Sequence, residues 1–141
     1  MKLVDTNVLL YAVNSAYPEH RPAKSWIDNA LSGGAPVGFA WLALVGFVRV
    51  ATHPTVFERP LAVSEALDVV EAWLEPAPAT VLQPGTSHPA VLRTMLEDTG
   101  SAGNLSNDAH LAALALEHKA TVVTFASDFG KFPGVRWERP L

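Results

Sequence analysis

The 141-residue sequence contains no cysteine, no long apolar run and no excess of basic residues. Without cysteine it can form neither disulfides nor thiolate metal sites, and an intracellular location is the default expectation. The net charge of −4 argues against a general basic surface for nucleic acid, although a local basic groove stays possible. The best candidate for a membrane span, residues 37–48, is far shorter than the ~18–20 residues that a span needs. We therefore expect a cytoplasmic protein without a membrane segment.

The composition is that of a folded protein. Apolar residues make up 49% of the chain and charged residues 17%, which argues against disorder. The length suits one domain with a full hydrophobic core, so residues 1–141 are expected to form a single domain. Asp5 and Asn7 interrupt the N-terminal apolar segment, which argues against a signal peptide there.

Short apolar segments alternate with helical patterns along the whole chain. We predict strands at residues 2–4, 35–39, 80–82, 121–125 and 135–137, and helices at residues 8–13, 23–31, 41–52, 64–74, 88–96 and 104–118. Ser64 is the candidate N-cap of the fourth helix, and Asn104, Ser106 and Asn107 are candidates for the last. Residues 14–22 and 128–133 are predicted to form loops, and residues 100–103 a loop that a ligand or an RNA strand could approach closely. This alternation predicts an α/β fold with a mainly parallel sheet and helices on both faces.

Three small polar residues, Asp5, Thr6 and Asn7, separate the first strand from the first helix. Asp5 or Thr6 could simply cap the helix. Alternatively, the three could form part of a ligand site, because ligands bind at the carboxyl ends of strands in open α/β sheets. This stretch alone does not decide between the two interpretations.

Two further carboxylates are expected near the same edge of the sheet. Asp108 falls in the first turn of the last helix, and Asp128 lies just beyond the clearest strand. Taken singly, Asp108 could serve the helix dipole and Asp128 a turn. Asp5, Asp108 and Asp128 together would repel each other unless a cation lay between them, and oxygen ligands suit Mg²⁺ or Mn²⁺. The sequence thus predicts a metal site that could activate water against a phosphate.

Arg49 is the only charge on an otherwise apolar helix. Its stem could pack while its head reaches solvent, or it could contact a phosphate. Lys131, Arg59 and Arg136 are further cations expected near the same edge. The histidines lack the spacing of a zinc site. The four tryptophans are expected at core positions.

Three segments of the sequence resemble PIN-domain ribonucleases. They are VDTNVL at 4–9, NDAHLAALA at 107–115 and residues 121–132. Phe47 and Arg49 in the third helix and the FPGVRW segment at 132–137 extend the resemblance over essentially the whole chain. The most similar branch of the family is the VapC toxins of bacterial toxin–antitoxin pairs.

The resemblance implies a three-layer α/β/α domain whose carboxylates bind Mg²⁺, or Mn²⁺ in its place, and cleave RNA. Asp5 and Asp108 would be the metal ligands, and Asp128 a supporting catalytic carboxylate. Asn7, Thr124 and position 126 would line the site, while Arg49 or Lys131 would contact RNA phosphates. A cognate VapB-type antitoxin and a homodimer are the implied partners.

Two positions depart from the family pattern. Gly46 stands where many members have Glu, and Ala126 where many have an acidic residue. Our hypothesis is that Ala126 replaces an Asp and reduces or abolishes cleavage. The alternative function is therefore a non-catalytic PIN-like protein that binds RNA or an antitoxin. A phosphatase of the haloacid dehalogenase type is disfavoured, because Asn7 stands where that class needs a second Asp.

Overall fold

The computed structural model describes residues 1–99 and 103–141, apart from the side chain of Asn104. The chain alternates between strands and helices as expected. The strands are β1 (Lys2–Val4), β2 (Val37–Phe39), β3 (Ala79–Val81), β4 (Thr121–Val123) and β5 (Trp137–Glu138). The helices are α1 (Thr6–Val13), α2 (His20–Leu31), α3 (Trp41–Ala51), α4 (Val63–Leu74), α5 (His88–Leu96) and α6 (Ser106–Glu117). Short 3₁₀ turns occupy Glu97–Thr99, Gly103–Leu105 and Ser127–Lys131.

The strands form one sheet in the order β3-β2-β1-β4-β5, and every pairing is parallel. This confirms the parallel sheet predicted from the alternation. Strand β1 lies at the centre beside β4, with Val4 opposite Val123. The residues that follow these two strands therefore meet at one edge of the sheet, which we call the carboxyl edge.

Two hydrophobic clusters cover the two faces of the sheet. Successive residues of a strand point to opposite faces, and Leu3 and Val4 accordingly belong to different clusters. Helices α1 to α4 contribute buried residues to the cluster that contains Val4. Helices α5 and α6 contribute to the cluster that contains Leu3. The result is the expected three-layer α/β/α arrangement.

Several predicted boundaries were wrong: helices α1 and α2 begin earlier than expected, and several strands are shorter or shifted. Helix α1 begins at Thr6, where the Asp5 carboxylate accepts the Thr6 N–H. Helix α2 begins at His20, inside the predicted loop, since Pro22 lies in a first turn whose N–H groups need no helical partner. Strands β2, β3 and β4 have three residues each, and β5 begins at Trp137.

The predicted helix caps were also wrong. Ser64 lies inside α4, whose N-cap is Ala62; the Glu65 carboxylate accepts the Ala62 N–H at 2.9 Å. A 3₁₀ turn precedes α6 and puts Leu105 at its N-cap in place of the three polar candidates. The predicted loop at 128–133 contains a 3₁₀ turn, and residues 100–102 of the approachable loop lie outside the described residues. None of the described helices is long and apolar enough to cross a membrane.

Candidate metal site

Asp5 both ends β1 and caps α1. Its Oδ1 accepts the Thr6 N–H at 2.7 Å, and its own N–H donates to the Val123 carbonyl at 3.0 Å. The side chain is buried, with the residue only 8% exposed. Capping and a place in the site are therefore not alternatives, because Asp5 Oδ1 makes the cap and leaves Oδ2 for other contacts.

Asn7 and Thr124 hold the second oxygen of Asp5. The Thr124 hydroxyl donates to Asp5 Oδ2 at 2.8 Å and accepts the Asn7 Nδ2–H at 3.1 Å and the Ala126 N–H at 3.0 Å. Asn7 Oδ1 accepts the Phe125 N–H at 3.1 Å. The network joins the ends of β1 and β4, so the orientation of Asp5 is fixed from both strands.

Asp108 brings a second carboxylate to the same place from the first turn of α6. Burial is the main reason that the pKa of Asp108 rises to about 6, and the charges of Asp5 and Asp128 raise it further, against the lowering effect of Lys131. Burial also raises the pKa of Asp5, against the lowering effect of hydrogen bonds from Thr124 and Thr6. The two carboxylates are thus close enough to repel each other.

Asp5 and Asp108 line one cleft of ≈ 300 Å³ at the carboxyl edge. Its walls come from the start of α1, one side of α3 and the first turns of α6. Its polar and charged lining residues are Asp5, Thr6, Asn7, Arg49, Asn107 and Asp108, and its other lining residues are Leu10, Leu42, Ala43, Gly46, Leu111 and Ala126. Four apolar lining residues were not predicted, since an apolar residue in a helix gives no signal that it faces a cleft: Leu10, Leu42, Ala43 and Leu111.

Asp128 and Lys131 lie near the cleft without lining it. Both side chains are 53% exposed, and Lys131 Nζ approaches Asp128 Oδ1 at 3.5 Å. They still act on Asp108 through their charges, in opposite directions. Asp128 is therefore a carboxylate outside the cleft lining whose charge is partly neutralised by Lys131.

Of the four cations expected at this edge, Arg49 lines the cleft. Arg59 lies instead in the loop after α3, in a surface pocket with Asn14, the residue that ends α1. Arg136 donates to the Lys119 carbonyl, just before β4 begins. The prediction for Arg136 was wrong, because Arg136 lies at the amino end of β4, and Arg59 lines a pocket separate from the cleft.

Gly46 and Ala126 line the cleft without adding a carboxylate to it. A Cβ atom at Gly46 would meet the Thr6 side chain at 3.4 Å, so α3 passes close to α1 there. Within residues 1–99 and 103–141, no three His, Asp or Glu side chains are grouped closely enough to hold a metal ion. The predicted three-carboxylate cluster is thus reduced to the pair of Asp5 and Asp108.

The pair nevertheless fits a divalent cation. Among the described residues, neither Asp5 nor Asp108 forms an ion pair, and the charge of Lys131 offsets the repulsion at Asp108 only in part. Carboxylate oxygens are the ligands that Mg²⁺ and Mn²⁺ favour, and Mg²⁺ commonly binds through one or two carboxylates while keeping several waters. Asp5 and Asp108 would supply those two ligands.

Comparison with solved structures finds the same fold in bacterial proteins. The chain matches VapBC2 from Rickettsia felis, crystallised with a DNA fragment from its promoter, with a TM-score of 0.70 at 18% identity, covering 98% of this chain and 97% of that one. It also matches VapC20 of Mycobacterium tuberculosis, described as a Sarcin-Ricin loop cleaving toxin, with a TM-score of 0.62 at 15% identity, covering 96% and 99%.

Sequence comparison finds nearer relatives. The chain is 51% identical over 140 residues to Ribonuclease VapC37 of Mycobacterium tuberculosis, covering 99% of this chain and 97% of the relative. It is 34% identical over 141 residues to Ribonuclease VapC33 of the same species, covering 100% and 99%. The family model described as "PIN domain" matches residues 2–135. Since that match takes in both carboxylates of the cleft and four of the five strands of the sheet, the chain belongs to the PIN domain family.

Proposed function

We propose that this protein is a Mg²⁺- or Mn²⁺-dependent endoribonuclease and the toxin of a toxin–antitoxin pair. The observation that carries the proposal is the pair of Asp5 and Asp108, two carboxylates in one cleft that form no ion pair within the described part of the chain. Its relatives named Ribonuclease VapC cover almost the whole chain, which supports the same reading. We further propose that residues 1–141 form one domain and act in the cytoplasm, where the RNA substrate is found.

In phosphodiester hydrolysis, different residues of the cleft would bind the ion and contact the RNA phosphates. Asp5, held by Thr124 and Thr6, and Asp108 would bind the ion at a fixed position beside the scissile phosphate. When bound, the ion supplies Lewis acidity that lowers the pKa of an attacking water and offsets charge on the phosphate. Arg49 would contact a neighbouring phosphate from the opposite wall, and Lys131 a more distant one.

The test is cleavage of single-stranded RNA with Mg²⁺ or Mn²⁺, using EDTA as the metal-free control. Asp5→Asn and Asp108→Asn keep the size of each side chain and should lower the rate by more than about 100-fold, because removing a ligand should cost more than disturbing an outer contact. Asp128→Asn is the matched control at an exposed carboxylate outside the cleft lining, and it should lower the cleavage rate much less. Cleavage that survives Asp5→Asn would come from a contaminant and would contradict the proposal.

A non-catalytic binding function is the second candidate, and Gly46 and Ala126 favour it because they leave the cleft with only two carboxylates. This candidate predicts metal-independent RNA or antitoxin binding without cleavage. For the antitoxin, the cleft's excess of negative charge would attract an arginine, whose guanidinium can bind a carboxylate through two hydrogen bonds. RNA that binds but stays intact with Mn²⁺ would favour this second function.

A further inference from the structure

A row of three side chains connects α5 to α6 on the face of the sheet opposite α1. His88 Nδ1 lies 2.6 Å from Glu117 Oε2, and His88 Nε2 lies 2.9 Å from His110 Nδ1. The side chains of His88 and Glu117 are 12% and 7% exposed. We call this set the Glu117–His88–His110 row. It forms no part of the cleft lining.

The Glu117 carboxylate sets the direction of the hydrogen bonds. Burial alone would raise the pKa of Glu117, but hydrogen bonds from His88 and the Gly85 N–H outweigh it and hold the pKa below its usual range. The carboxylate is therefore ionised and can only accept hydrogen bonds. His88 must then carry its proton on Nδ1, the nitrogen that faces Glu117.

His88 is the centre of the row because each of its two ring nitrogens has a different partner. The His88 Nε2–His110 Nδ1 hydrogen bond at 2.9 Å can run in either direction, because each of these ring nitrogens can donate or accept. His88 therefore bonds to Glu117 through one ring nitrogen and to His110 through the other. A glutamine amide could reproduce both roles, whereas a leucine of similar bulk could reproduce neither.

The row fixes the helix that carries Asp108. Glu117 and His110 lie 7 residues apart on one face of α6, and His88 bonds to both from the first residue of α5. Glu117 Oε1 also accepts the Gly85 N–H at 3.1 Å, which ties the segment before α5 to the end of α6. Helix α6 therefore cannot slide or rotate against α5 without breaking these bonds.

We propose that His88 is a positioning residue for the Asp5–Asp108 pair, acting through α6. The reason is geometric: a metal-binding constellation must be held to within about 0.5 Å, and Asp5 and Asp108 sit on different elements. Asp5 is held by β4 through Thr124, while Asp108 depends on the placement of α6. The inference rests on the proposed function, because it takes Asp108 as a metal ligand.

The test measures Mn²⁺ binding to the full chain by electron paramagnetic resonance, which needs no RNA and no activity. His88→Leu should raise the Kd for Mn²⁺ by about 3- to 10-fold, toward the lower end of the effects of outer contacts on metal affinity. His88→Gln should restore an affinity near that of the wild type. In RNA cleavage, His88→Leu should lower kcat more than it changes KM, because Arg49 is untouched.

Met95→Ala is the matched control. Met95 is buried on α5 in the same cluster as α6, so its truncation loosens α5–α6 packing without touching the row. All variants are compared at a temperature where circular dichroism finds them folded. A purely structural role for His88 predicts that His88→Leu and Met95→Ala bind Mn²⁺ as the wild type does, and that result overturns the inference. Absence of Mn²⁺ binding to the wild type itself would overturn the proposed metal site and the inference with it.

Discussion

At the scale of single residues, Ala126 limits the negative charge of the cleft. Its side chain lines the cleft, and its N–H donates to the Thr124 hydroxyl that holds Asp5. An aspartate at this position would face the Asp5–Asp108 pair from the end of β4. We therefore expect Ala126→Asp to tighten Mn²⁺ binding by about tenfold, on the order of 1.4 kcal/mol, and to raise the rate of RNA cleavage.

Ser127→Asp is the control for this prediction, because it adds the same charge one residue along at an exposed position outside the cleft lining. It should change Mn²⁺ affinity little. Equal affinity of the Ala126→Asp variant and the wild type, with no gain in cleavage, would count against the hypothesis that Ala126 stands in for an acid.

Asp108 should destabilise the metal-free protein at neutral pH. Its pKa rises from 3.8 to about 6 on folding, so between these values the folded chain holds more protons than the unfolded one. Stability must then fall as pH rises through this window. Asp108→Asn removes the charge, and in EDTA at pH 7 it should raise the free energy of unfolding by about 1–2 kcal/mol, after a discount for solvent screening.

Urea unfolding from pH 4 to pH 7 checks this. The increase in the free energy of unfolding caused by Asp108→Asn should be near zero at pH 4 and largest above pH 6. With saturating Mn²⁺ at pH 7 the wild type should become more stable than Asp108→Asn, because the ion stabilises only the protein that binds it. An Asp108→Asn variant that is less stable than the wild type in EDTA at pH 7 would show that the charge is compensated by a contact outside the ones described.

Residue patterns predicted the centre of the site but not its surroundings. Asp5 and Asn7 were expected at the site because they follow a strand that the pattern predicts, whereas the place of Thr124 came from the family resemblance; the parallel pairing of β1 and β4 brings the three together. The Glu117–His88–His110 row could not, because His88 meets partners 22 and 29 residues away on another helix. Such contacts depend on the rotation of one helix against another, which no spacing within a single element reports.

At the scale of elements, helix ends were the least predictable feature. Local contacts determine where the helices begin. The Glu65 carboxylate bonds to the Ala62 N–H, so α4 begins at Val63. Before α6, a 3₁₀ turn takes the place of a polar N-cap. The type and order of the elements were predictable, since the apolar pattern within a strand or helix does not depend on the residue at which that element begins or ends.

Helix α3 contains a glycine where α1 passes close by. A Cβ at Gly46 would lie 3.4 Å from both Cγ2 and Oγ1 of Thr6, close to an ordinary van der Waals contact. Glycine inside a helix costs about 1 kcal/mol relative to alanine. Gly46→Ala should therefore raise the free energy of unfolding by about 0.5 kcal/mol, once the small adjustment of Thr6 is allowed for.

Chemical denaturation measures this change, with Gly46→Leu as the comparison. The longer side chain must displace Thr6 or enter the cleft, so it should destabilise the protein by about 1–3 kcal/mol. If Gly46→Ala is itself destabilising, α1 and α3 are packed too tightly at this point for any side chain, and the glycine is required by that contact alone.

At the scale of the whole molecule, no element among residues 1–99 and 103–141 covers an apolar surface on α3 and α4. Trp41 was expected in the core, but it is 50% exposed, and Val45, Val63 and Leu67 are 60%, 60% and 46% exposed. Trp41, Val45 and Leu67 share a small apolar groove. Contiguous exposed apolar residues of this kind mark interaction sites, and the expected homodimer is one occupant.

We expect two copies to pair through this surface. In a symmetric dimer each substitution occurs twice, so Val45→Lys buries two charges at the interface and should weaken association by at least about 100-fold. Light scattering at micromolar concentration should then give half the mass of the wild type. Val56→Lys is the control, because Val56 is 49% exposed but lies in the loop after α3, outside the groove. A monomeric wild type, or a Val45→Lys variant that keeps the full mass, would assign this surface to another partner.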